Sequence, residues 1–74
     1  MKNKTKEQTL TASECARQTG LTVKALRVYE REGLLKPKRT VKDWRVYDAP
    51  DIIRLGEITA LRALGLKLSA IAQL

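Results

Sequence analysis

Seventy-four residues suffice for one small domain, and a chain this short buries only about 60% of the surface its unfolded form exposes, which leaves no room for a deep substrate pocket. With no histidine, a single cysteine and no run of carboxylates or thiols at metal-ligand spacing, the sequence supports neither a metal site, nor a nucleophile–base pair, nor an internal disulfide, so no enzyme and no cofactor are expected. A net charge of +7, without a secretory signal or a spanning segment, leads to the expectation of a cytoplasmic protein that meets a polyanion and no membrane.

The first nine residues, MKNKTKEQT, carry no apolar side chain after the initiator and read as a flexible basic and polar tail, with the folded domain at residues 10–74. Thr11-Ala12-Ser13-Glu14 fits a capping box, and Leu10 and Cys15 take the two staple positions around it. Ala12, Cys15, Ala16 and Thr19 then share one helical face, which makes Cys15 a small core residue rather than a reactive thiol. Gly20 ends this helix, and Thr22 caps a second one with a Leu21–Leu26 staple. That second helix is expected to stop at Glu32, with Gly33 in the left-handed conformation and Leu34 folding back on Tyr29.

Pro37 keeps Lys36 extended, and the alternation from Lys38 to Tyr47 predicts two strands closed near Val41-Lys42-Asp43, although Lys-Asp is poor hairpin chemistry. Asp48-Ala49-Pro50-Asp51 opens a third helix that runs to about Gly65. Its apolar residues, Ile52, Ile53, Leu55, Ile58, Leu61 and Leu64, drift around the cylinder, so one small core cannot cover them all; neighbours in the domain or a second subunit must take the rest. Residues 67–74 start a fourth helix with Leu68, Ile71 and Ala72 on one side, and the chain stops before a C-cap signal, as the front part of a longer protein would. The fold class predicted is mainly α, a winged helix-turn-helix of four short helices with a two-stranded β wing.

Positive charge is concentrated rather than spread. Between Arg17 and Arg45 nine basic residues face three acidic ones, which places +6 of the +7 in that stretch, most of it in the second helix and the wing. Lys24, Arg27 and Arg31 recur at i, i+3 and i+7 and line one helical stripe, while Leu26 and Tyr29 turn toward a core. In the wing, Lys36, Lys38, Arg39, Lys42 and Arg45 bracket Trp44 and Tyr47, pairing cations for phosphates with rings that can lie on sugar or backbone. Helix and wing together outline a surface for double-stranded DNA.

From Leu10 to Leu74 the chain resembles the DNA-binding domain of MerR-family transcription regulators. The resemblance rests on Leu10-Thr11 opening the first helix, the Gly20-Leu21-Thr22 turn, Leu26-Arg27-Val28-Tyr29-Glu30, Gly33-Leu34-Leu35 and Pro37, Arg39-Thr40, Arg45-Val46-Tyr47, Asp51-Ile52, Arg54-Leu55, Leu64-Gly65 and Leu68. Three departures touch the expected contacts. The family's paired tyrosines stand here as Val28-Tyr29, its Asn-Gly-Tyr wing tip as Lys42-Asp43-Trp44, and Lys67 sits where a hydroxyl cap is common.

The resemblance implies DNA contacts from Thr22, Lys24, Arg27, Val28, Tyr29 and Arg31 on the second helix, from Lys38, Arg39, Trp44 and Arg45 on the wing, and from Lys67. Trp44 reads either as a backbone contact or as the hydrophobic plug of the wing. The family implies a homodimer of the full-length protein on a promoter palindrome, acting on RNA polymerase indirectly through the DNA, with this chain alone a monomer or weak dimer. Two alternatives carry other functions: a small excisionase-like architectural DNA-binding protein, or a docking module for an acidic protein partner.

Overall fold

The computed structural model describes residues 9–74, and the predicted tail falls almost wholly outside them. Helix α1 spans Ala12–Thr19 and helix α2 spans Val23–Arg31. The predicted capping box forms: the Glu14 amide donates to Thr11 Oγ1 at 3.2 Å, and the Thr11 amide donates to Glu14 Oε1 at 2.8 Å. Thr22 Oγ1 accepts from the Ala25 amide at 3.0 Å and starts α2 after the tight turn at Gly20. α2 stops as expected, with Glu32 as its C-cap and Gly33 at φ +82°, a conformation that side-chain-bearing residues rarely adopt. The Leu34 amide then donates to the Tyr29 carbonyl at 2.9 Å and turns Leu34 and Leu35 into the core.

Strands β1 (Lys38–Arg39) and β2 (Arg45–Val46) pair antiparallel, with Lys38 opposite Val46 and Arg39 opposite Arg45. The turn between them succeeds without Asn-Gly because two other devices hold it. Asp43 takes the left-handed position at φ +67°, which aspartate tolerates better than most residues. Thr40 Oγ1 also accepts from the Lys42 and Trp44 amides, each at 3.2 Å, and the Thr40 amide donates to the Trp44 carbonyl at 2.9 Å. After β2, Tyr47 and Leu10 exchange two backbone hydrogen bonds of 2.7 and 2.8 Å, a bridge absent from the sequence reading that ties the entry of α1 to the base of the wing.

Helix α3 (Ala49–Ala63) opens on a reciprocal box between Asp48 and Asp51 with a proline in its first turn, and helix α4 is Leu68–Ala72. The core gathers Cys15 and Ala16 of α1, Leu26 and Tyr29 of α2, Leu34, Leu35, Tyr47, Leu55 and Ile58 of α3, and Ile71 of α4. Cys15 is fully buried, as packing requires. The drift along α3 has the expected consequence: Leu55 and Ile58 are buried, Ile52 and Leu61 pack at the margin, and Ile53 and Leu64 stand in solvent. On α4, Ala72 is exposed, so the apolar side of that helix is Leu68 and Ile71 alone.

Candidate nucleic-acid interface

Burial of Leu26 and Tyr29 fixes the rotation of α2, and the helical period then places Lys24, Arg27 and Arg31 in solvent. Among the described residues none of these three cations has an acidic partner, so the whole charge of the stripe is free to meet a ligand. Thr22, at the helix start, is exposed with its oxygen engaged in capping, and Val28 is half-buried beside the stripe. Tyr29 is only 9% exposed, and its ring belongs to the core that orients the helix.

The wing's cations are mostly committed to carboxylates. Arg45 Nε donates to Glu30 Oε1 at 2.6 Å; a second guanidinium, that of Arg39, lies 3.7 Å from Glu30 and 3.2 Å from Asp43. The bond to Glu30 holds the Arg45 guanidinium above its ordinary pKa. Lys38 Nζ meets Asp48 Oδ2 at 2.9 Å, which raises the lysine and lowers the aspartate, while the ammonium itself stays open to solvent. Arg39 and Arg45 are therefore struts between the wing and α2. Lys36 precedes the wing and Lys42 sits at its tip, and both are without an acidic partner among the described residues.

The two aromatic residues of the wing separate. Trp44 is 68% exposed, so it is no hydrophobic plug; Tyr47 is fully buried and cannot lie on a sugar. Its hydroxyl has no hydrogen-bond partner among the described residues, and burial pushes its pKa up. Arg27, Trp44 and Arg45 line one groove of about 350 Å³ with Thr11, Ala12, Ser13 and Asp43, so the structure brings together helix and wing residues that are far apart in sequence. Lys67 is exposed ahead of α4 and does not line that groove.

Sequence reasoning missed two positioning residues. Glu30 was only one acidic residue in a basic segment, yet it carries both wing arginines; its co-occurrence with Arg45 in the family-like motifs was the available signal. Arg54 of α3 donates from Nε to the Leu34 carbonyl at 3.1 Å and supports the exit from α2. Among the described residues no cluster of acidic or thiol side chains could hold a metal, and no helix is long and apolar enough to cross a membrane.

A helix locked into a core by one face, offering cations on the other and flanked by a hairpin, defines a winged helix-turn-helix of the kind that reads DNA. The chain belongs to the MerR HTH family of regulatory proteins, whose family model matches residues 10–74. It is 43% identical over 63 residues to a "Probable heavy metal-dependent transcriptional regulator" of Haemophilus influenzae, covering 84% of this chain and 49% of that protein. The crystal structure of HiNmlR, a MerR family regulator lacking the sensor domain and bound to promoter DNA, superimposes with a TM-score of 0.85 at 28% identity, over 89% of this chain and 53% of that one. The HTH-type regulator SkgA from Caulobacter crescentus gives 0.80 at 37% identity, over 89% and 48%. The chain thus spans about half the length of these relatives, all of them regulators by name, which favours regulation over the architectural and docking alternatives.

Proposed function

We propose that this chain binds double-stranded DNA as the reading domain of a MerR-type transcription regulator, with α2 in the major groove and the wing on the flanking backbone. The unpaired stripe of Lys24, Arg27 and Arg31, opposite the buried Leu26 and Tyr29, carries the reading. An α-helix fits the major groove, and arginine and lysine there can reach guanine edges or phosphates. Thr22 and Val28 flank the stripe and complete the helix surface, Trp44 borders the strand from the wing side, and Lys38 and Lys67 add exposed charge. The domain occupies residues 10–74, it has no catalytic role, and its place of action is the cytoplasm.

The full-length protein is proposed to work as a homodimer on a promoter palindrome, affecting RNA polymerase through the shape of the DNA, because one small module reading a few base pairs gains regulatory affinity by pairing half-sites. The test is a titration of the chain against labelled duplex DNA across a salt series. Log affinity should fall linearly with log salt, with a slope of about −0.9 per neutralised phosphate. Absence of duplex binding at low salt would refute the reading.

A further inference from the structure

Val41 at the wing tip is fully exposed and Trp44 is 68% exposed, two large apolar side chains side by side in the most basic part of the chain. They share a concave surface of about 370 Å³ whose walls also include Thr11, Thr40, Val46 and the stems of Lys42 and Arg45. Trp44 also lines the neighbouring groove with Arg27, so the apolar tip continues directly into the cationic stripe of α2. Whatever strand meets Arg27 therefore passes Trp44.

Charge decides which part of that strand the tip can take. Both wing arginines are held by Glu30 and Asp43, and the Asp43 carboxylate stands 81% exposed at the tip, where it would repel a phosphate. Lys42 is the one tip cation without an acidic partner among the described residues. The uncharged part of the DNA backbone is the deoxyribose, with C–H faces that suit an indole and an isopropyl group. The turn is braced by four hydrogen bonds of Thr40, among them the one from the Asp43 amide to the Thr40 carbonyl at 2.8 Å, so little conformational freedom is lost when it docks.

We infer that the wing tip contacts DNA by apolar packing of Trp44 and Val41 on deoxyribose faces, and that its arginines remain internal struts. This inference rests on the DNA-reading proposal. It makes the share of affinity that Trp44 and Val41 supply nearly independent of salt, whereas a phosphate clamp would add to the salt slope.

Trp44 is the chain's only tryptophan, so its emission reports on this contact alone. Duplex DNA should shield Trp44 of the whole chain from acrylamide, a neutral quencher. Trp44→Ala and Val41→Ser, both at exposed positions that leave folding intact, should each weaken duplex binding about three- to tenfold with the salt slope unchanged, while Arg27→Ala lowers the slope by about 1. The inference is overturned if bound DNA leaves Trp44 open to acrylamide, if either wing-tip variant lowers the slope, or if both bind like the parent chain; in each case duplex binding by the parent chain still upholds the DNA-reading proposal. A parent chain that binds no duplex removes both.

Discussion

Glu30, near the end of α2, accepts a 2.6 Å hydrogen bond from Arg45 at the start of β2 and has the Arg39 guanidinium 3.7 Å away, so it ties α2 to both strands of the wing. Both side chains are about three-quarters buried, so the pair is shielded from the screening that weakens surface ion pairs. The pose of the wing is then set by the same helix that presents Lys24, Arg27 and Arg31.

Glu30→Gln should lower folding stability by about 1 kcal/mol, since a neutral amide keeps a hydrogen bond and loses the charge. It also releases Arg39 and Arg45 toward phosphate. Non-specific duplex affinity should rise and the salt slope should steepen by about 0.9 for each arginine that engages. Denaturant melts and salt-dependent titrations measure both effects. A variant that is destabilised with an unchanged slope would show that the arginines stay on the wing without Glu30.

Arg27→Ala should weaken duplex binding about tenfold while leaving the thermal midpoint nearly unchanged, because the guanidinium is exposed and has no protein partner among the described residues. Anisotropy titration paired with a thermal melt checks it. Unfolding of the variant would count against its assignment to the reading surface.

The elements came from local grammar. Thr11 with Glu14, Thr22 with Ala25, and Gly33 with the Leu34 return are each decided within four or five residues, and the sequence displays all of those partners. The site was less legible because its decisive relations are long-range. Glu30 and Arg45 lie fifteen positions apart, and nothing local distinguishes a free arginine from a strut. Trp44 and Tyr47 looked equivalent on a basic hairpin; the Leu10 bridge pulls Tyr47 inward, and no pattern within the wing announces it.

Cys15→Ser should cost about 1–3 kcal/mol, since it places a hydroxyl in a fully buried apolar site. Burial raises the thiol pKa, so the native protein should also resist thiol reagents until it unfolds. Site preference of the folded fraction should be unaltered. Rapid labelling of native Cys15 would place it outside the core.

Acid should expose the Lys38–Asp48 pair. The lysine hydrogen bond lowers Asp48 below the ordinary carboxylate value, so its stabilisation is complete above the unfolded pKa and is lost as pH falls through the lower folded one. Burial raises Asp51, which therefore takes its proton first and favours the folded state on acidification, opposing part of that loss. Asp48→Asn keeps an N-cap and removes the charge. Its thermal midpoint should be lower near neutrality and fall less steeply in acid than that of the parent chain, as melts across a pH series would show. Parallel curves would mean that the pair contributes nothing.

Asp43 offers the sharpest test of the wing, because its φ of +67° and its carboxylate act in opposite directions. A left-handed backbone costs a side-chain-bearing residue roughly 1–2 kcal/mol, which glycine avoids at the expense of greater freedom in the unfolded chain. Asp43→Gly should therefore be close to neutral in stability, whereas Asp43→Val, branched at Cβ, should destabilise the turn by about 1 kcal/mol or more. The Thr40 amide, bonded to the Trp44 carbonyl across the turn, reports the difference through hydrogen exchange: protection is retained in the glycine variant and reduced in the valine variant. Both substitutions also remove the charge that faces Arg39 at 3.2 Å, so both should raise duplex affinity per folded molecule. Equal exchange in the two variants would show that the Thr40 hydrogen bonds hold the turn without help from the left-handed residue.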